Sequence, residues 1–113
     1  MIIKKKNKKL KISNINLVKK AEITLKNNQF ISFKFNKSQE YDFTKKNWGF
    51  YISPSINVRL KSNKFKIAII KNKHNKFFLC GVSNNQKNNF QKYLVITEQK
   101  IICWLSTMKL NQL

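Results

Sequence analysis

The sequence predicts one small α+β domain, a mostly antiparallel sheet of about five strands with two helices. Three observations point there. The chain has 113 residues and is 42% hydrophobic, which suits a single core. Stretches 21–35 and 64–82 alternate apolar and polar residues as paired strands do. Stretches 53–63 and 84–97 carry helix signals instead. The expected layout is a basic arm over 1–14, the domain over 15–107 and a tail over 108–113.

The arm comes first. Lys4 to Lys9 reads Lys-Lys-Lys-Asn-Lys-Lys. Like charges at this density repel, so the segment is expected to be mobile. Leu10, Ile12, Ile15, Leu17 and Val18 then offer apolar anchors, and 15–18 is expected to form a short strand.

From Ala21 to Lys26, Ala21, Ile23 and Leu25 face one way and Glu22, Thr24 and Lys26 the other. Asn27-Asn28 follows, and asparagine tolerates the positive φ of tight turns. Gln29 to Phe35 resumes the alternation with Ile31, Phe33 and Phe35 inward. A hairpin between these two strands is expected. Tyr41-Asp42-Phe43 fits strand or loop. Trp48-Gly49-Phe50-Tyr51-Ile52 reads as an aromatic extended segment.

Ser53-Pro54-Ser55 resembles a helix start, with Ser53 as cap and Pro54 at the first helical position. Ile56 and Leu60 share a face at i, i+4, and the helix is expected to end near Ser62-Asn63. A second hairpin is expected between 64–71 and 77–82, joined by Asn72–Asn75. Phe77 to Val82 is apolar on both sides, so it is expected to be central and covered twice. Phe90, Tyr93 and Leu94 fall at helical spacing, with Asn84 or Asn85 as cap. Ile101 to Leu105 is expected to be a strand that closes the sheet. Two glycines and one proline leave asparagine to carry many turns.

The formal charge is +20. Residues 1–20 hold eight lysines and no acid, and residues 48–83 hold six lysines and Arg59. The charge suggests a polyanion partner. Composition offers a second source for it. Lys, Asn, Ile and Phe make up 62 of the 113 residues, and A- and T-rich codons specify all four. There are 23 lysines and one arginine. Phosphate recognition generally favours arginine, whose planar fork binds bidentately, so the imbalance weighs against a dedicated phosphate site.

Two regions are candidates for binding. Lys4, Lys5, Lys6, Lys8 and Lys9 can contact phosphates without sequence preference; the same pattern also fits a solvated tail. The stretch 48–66 is the more structured candidate. Ser53 and Ser55 lie at the expected helix N-terminus, where free N–H groups attract an anion. Arg59, Lys61, Lys64 and Lys66 follow. Trp48, Phe50 and Tyr51 precede them and can stack on bases or a sugar. The same residues also fit a capped helix over an aromatic core, with Arg59 paired to a carboxylate such as Asp42 or Glu40. Phe33, Phe35, Phe77 and Phe78 are expected to be ordinary core, because the glycine–aromatic spacing of the common RNA-recognition motif is absent.

No catalytic set is expected. His74, the one histidine, sits in a Lys/Asn turn, and four acids leave little for acid–base or metal chemistry. No cofactor or metal is expected. Cys80 and Cys103 lie in apolar surroundings and are expected to be reduced thiols, which suggests the cytoplasm. No run of eighteen apolar residues and no secretory leader pattern is present.

One further string carries a resemblance. It runs Trp48-Gly49-Phe50-Tyr51-Ile52-Ser53-Pro54-Ser55-Ile56-Asn57, then Arg59-Leu60-Lys61, Phe65-Lys66 and Ala68-Ile69-Ile70-Lys71-Asn72. This string resembles small uncharacterised bacterial proteins of surface-polysaccharide gene clusters. Tyr93-Leu94 and Cys103-Trp104-Leu105 fit the same pattern, which covers about half the chain. The resemblance implies an accessory role in glycan assembly and makes the lysine excess a codon effect. It transfers no activity and no binding residue, and the Lys4–Lys9 segment has no counterpart in it.

The expectation is therefore a small non-enzymatic binding protein. Its partner is nucleic acid, RNA before DNA, held by lysine–phosphate contacts. The alternative is a cytoplasmic accessory protein of polysaccharide biosynthesis that contacts another protein.

Overall fold

The computed structural model describes residues 1–12, 14–37, 39–53, 55–56 and 64–105. Eight strands and one helix occur among them: β1 Ile2–Ile12, β2 Ile15–Thr24, β3 Phe30–Lys34, β4 Glu40–Lys46, β5 Gly49–Ser53, β6 Phe65–Lys71, β7 Phe77–Ser83, α1 Lys87–Ile96 and β8 Lys100–Trp104. The strands form three sheets, β1-β2, β3-β4-β5 and β7-β6-β8, in place of the one sheet of about five strands that alternation suggested. Alternation marks a strand and its inward face but not its partner.

The chain divides into two compact units. One is Met1–Phe33 with Tyr41–Ile52, and the other is Lys34–Glu40 with Ser53–Leu113.

In the first unit, Lys4–Lys9 belongs to a paired strand, where a mobile arm was expected. β1 pairs antiparallel with β2 from Ile2↔Thr24 to Ile12↔Ile15. Asn14, at φ 64°, turns the chain between them. Across the ladder Lys4 faces Glu22, an opposite-charge pair, while Lys8 faces Lys19, and Lys9, Lys11 and Lys5 face the uncharged Val18, Asn16 and Ala21. The hairpin expected between 21–26 and 29–35 does not form. Asn28 does turn the chain, at φ 67°, but its N–H donates to the Lys45 carbonyl (2.8 Å), and the Lys45 N–H returns to Gln29 (2.9 Å). The strand after the turn therefore pairs with β4. Ser32 Oγ donates to Asp42 Oδ1 at 2.6 Å across that pair. Tyr41–Phe43, open between strand and loop, is strand.

The second unit holds the main core. β6 is the central strand, flanked antiparallel by β7 and β8. Ala68, Ile70 and Leu94 form a buried cluster with Cys80, Phe90, Ile101 and Trp104 packed on it. The Phe90 ring meets Trp104 edge-on at 6.0 Å between centroids. On the opposite face Phe65 is buried, and the Phe35 ring lies 4.8 Å from it.

The 64–82 hairpin, the 84–97 helix and the closing strand at 100–104 all occur where the sequence placed them. Asn72 Oδ1 ties the 72–76 turn by accepting from the His74 and Lys76 N–H groups, both at 2.9 Å.

The structure departs from the expected pattern at several points. β7 is an edge strand, not a central one, and Phe77, Phe78 and Leu79 are exposed. Its inner face packs toward the helix at Cys80 and Val82, while on its other face Phe77 and Leu79 are exposed and Ser83 is half-buried. Phe33 and Phe35, expected as core with them, are also half-exposed. The helix starts from Gln86 with no side-chain cap. Asn84 and Asn85 are used in the preceding turn, where Asn84 N–H donates to Lys64 (2.9 Å) and Asn85 Oδ1 accepts from Ser83 Oγ (2.7 Å). The helix expected over 53–63 falls largely outside the described residues, and Ser53 itself closes β5.

Candidate nucleic-acid interface

The lysines are concentrated on the β1–β2 ribbon. Lys4, Lys5, Lys6, Lys8, Lys9 and Lys11 lie on β1, and Lys19 and Lys20 on β2. All eight are exposed. Residues opposite each other in a ladder share a face, so the register sorts them. It contains one irregularity. Between Lys5↔Ala21 and Lys8↔Lys19, Lys6 and Asn7 together oppose Lys20. This is a β-bulge, and it shifts the alternation of β1 by one residue.

The shift makes the ribbon two-faced. One face gathers Ile3, Leu10 and Ile12 with Ile15, Leu17, Ala21 and Ile23, crossed at its middle by Lys5, Lys8 and Lys19. The other, the more polar, carries Lys4, Lys9, Lys11 and Lys20 among Asn16, Glu22 and Thr24, with Ile2 and Val18 as its apolar members. Without the bulge Ile3 would join the polar face. Lys20 Nζ donates to Asn7 Oδ1 at 3.2 Å, which braces the bulge. Lys19 pairs with Glu22, and it is the one ribbon lysine with a carboxylate partner among the described residues. The other cations have no fixed anion there. A shallow hollow near the ribbon's tip is lined by Lys9, Leu10, Lys11, Asn16, Leu17 and Val18.

The second candidate does not gather into one site. Ser53 ends β5, and Ser55 is exposed. Arg59 and Lys61 fall outside the described residues. Lys64 precedes β6 at φ 62°, and Lys66 is half-buried within β6. The carboxylates considered for Arg59 have other neighbours. Asp42 accepts from Ser32, and Glu40 lies 3.8 Å from Lys34 Nζ.

The aromatics are not one stacking platform. Phe50 and Tyr51 are successive residues of β5 and point to opposite faces. Trp48 stands in the β4–β5 turn, 68% exposed, with Gly49 after it at φ 145°. Trp48, Phe50 and Tyr51 do belong to the same compact unit as the ribbon.

Lys19 and Lys20 are not among the sequence candidates, because the pattern of residues 1–14 does not reveal the strand that pairs with them. The signal was present in Ile12-Ser13-Asn14-Ile15, a turn pair between apolar residues.

Elsewhere the chemistry is sparse. His74 is an exposed turn residue. Cys80 and Cys103 are free thiols, and burial pushes the Cys80 thiol up. They sit opposite Ala68 and Ile69 on either side of β6, so they face opposite sides of the sheet. Among the described residues, no group of three His, Cys, Asp or Glu is placed to hold a metal, and no helix is long and apolar enough to cross a membrane. No protein-family model, curated protein or solved structure matches the chain.

Proposed function

We propose that this protein is a non-enzymatic nucleic-acid-binding protein whose β1–β2 ribbon engages the phosphate backbone. The observation that carries the reading is one face of the ribbon, where Lys4, Lys9, Lys11 and Lys20 project from a paired two-stranded frame. A frame lowers the ordering cost that a mobile arm would incur on binding. Contacts of this kind release counterions and read charge rather than sequence, which suits a chain built on lysine. RNA is the favoured ligand. The exposed rings of Trp48 and Phe50 offer π faces to unstacked bases, which single-stranded RNA presents and duplex DNA does not.

Fluorescence anisotropy with a labelled single-stranded RNA and a DNA duplex of equal length, in rising potassium chloride, tests this. Binding to RNA near 50 mM salt that weakens log-linearly is expected. The absence of any affinity at that salt sinks the proposal, since several phosphate contacts should register there.

A further inference from the structure

The exposed edge of the second unit carries a separate inference. β7, Phe77–Ser83, is the outer strand of the β7-β6-β8 sheet, and its seven residues include no charge and no proline. Exposed sheet edges are ordinarily guarded by lysine, proline or a bulge, because they template pairing. In a chain with 23 lysines, a lysine-free edge is notable. Phe77 and Leu79 are 60% and 59% exposed on it.

The hydrogen bonds at the two ends of the β6–β7 ladder fix which backbone groups face outward. Asn84 N–H donates to the Lys64 carbonyl and Asn72 N–H to the Lys76 carbonyl, both at 2.9 Å. Bonded and non-bonded pairs alternate along an antiparallel ladder. The backbone groups of Phe78, Cys80 and Val82 therefore turn inward to β6, and those of Phe77, Leu79, Gly81 and Ser83 turn outward.

We infer that β7 is a self-association edge that pairs antiparallel with β7 of a second copy, about a two-fold axis at Cys80. This register places Phe77 opposite Ser83 of the second copy and Leu79 opposite its Gly81, so all four outward residues bond, with about eight new hydrogen bonds. The side chains agree with it. Leu79 lies over a glycine that leaves it room. Phe78 meets Val82, an aromatic–β-branched pair of the kind that stabilises sheets. Lys76 falls opposite Asn84 and not opposite another lysine. Cys80 meets its own copy in a non-bonded pair, with Cα atoms about 4.5 Å apart. The result is a continuous six-stranded sheet. Its partner is a second copy of this chain because the register is self-complementary, and β7 is the longest lysine-free edge strand among the described residues, β5 having five residues.

Sedimentation equilibrium of the full chain in about 1 M salt, where phosphate contacts are screened, tests the inference apart from nucleic-acid binding. A mass of twice the 13.5 kDa chain is expected at about 100 µM, in the usual range for weak self-association. Leu79→Pro removes an outward N–H and leaves the bonds to β6 in place, so it should weaken the dimer at least about tenfold. Leu79→Lys, which restores an edge guard, should do the same if the proline variant unfolds. In a Cys103→Ser background, two copper(II) phenanthroline complexes should each take one electron from the paired Cys80 thiols, whose two protons pass to the buffer, and leave one disulfide, since the Cα spacing lies within disulfide range. A monomer mass at that concentration overturns the inference. So does a dimer that survives Leu79→Lys without a Cys80 cross-link.

Discussion

The two faces of the ribbon differ enough to be tested separately. The variant Lys4→Gln/Lys9→Gln/Lys11→Gln strips three cations from the polar face. Its counterpart, Lys5→Gln/Lys8→Gln/Lys19→Gln, strips three from the band across the apolar face. The two variants have equal net charge, so any difference between them reports position. Each lysine–phosphate contact on a single strand contributes about 0.7 to the slope of log affinity against log salt. If the polar face lies on the backbone, the first variant loses about 2.1 from that slope, out of a ceiling of about 5.6 for all eight ribbon lysines. Between about 50 and 200 mM salt, the unmodified chain should then lose roughly 18-fold more affinity than the variant. The second variant should nearly keep the original slope. Anisotropy titrations on single-stranded RNA at four salt concentrations read this directly. All six positions are exposed, so both variants should keep their circular-dichroism spectra and melting temperatures within experimental scatter. Equal slopes for the two variants would refute the assignment of the polar face. An unchanged slope in the first would refute the ribbon as the contact surface.

Three further outcomes follow from the packing. Leu94→Ala empties the centre of the Ala68–Ile70–Leu94 cluster, where Leu94 is 4% exposed, and should cost about 2–5 kcal/mol in urea unfolding. The helix has no side-chain cap, so a loss below about 1 kcal/mol would mean that it does not depend on this anchor. Glu98 holds φ 56° just past the helix and makes only an exposed ion pair with Lys73 at 3.0 Å, so Glu98→Gly should raise stability by about 0.5–1 kcal/mol in the same assay. Burial pushes the Tyr41 phenol up to about 12. Because the folded chain resists ionising it, this contribution is intact below pH 10, the ordinary tyrosine value, and falls away as pH rises toward 12, by roughly 2–3 kcal/mol in all. Absorbance titration should show one phenol ionising late, and Tyr41→Phe should remove that late step.

Local pattern carried much of the second unit. Alternation in 64–71 and 77–82 with an asparagine-rich turn between them specified the β6–β7 hairpin, and apolar spacing at Phe90 and Leu94 specified α1. The demand for asparagine turns is met at Asn14, Asn28 and Asn75, all at positive φ. These features depend on neighbours within a few residues, so the residues themselves contain them.

Partnership was not legible in the same way. A strand such as 29–35 pairs as well with the segment after it as with the one before, and the bond from Asn28 to Lys45 decides the matter. Lysine density suggested a mobile arm, because repulsion along one strand is visible and relief from a facing strand is not. The bulge at Lys6–Asn7 is invisible as periodicity, since it interrupts the alternation by which strands are found. Two-sided apolarity placed Phe77–Val82 at the sheet centre, where β6 lies instead. The amino-acid order thus settled charge, turn chemistry and the strands and helix of the second unit, all of which are short-range. Which strands meet, which face each lysine takes and which edge is left open depend on pairing between distant segments, and so belong to the folded molecule.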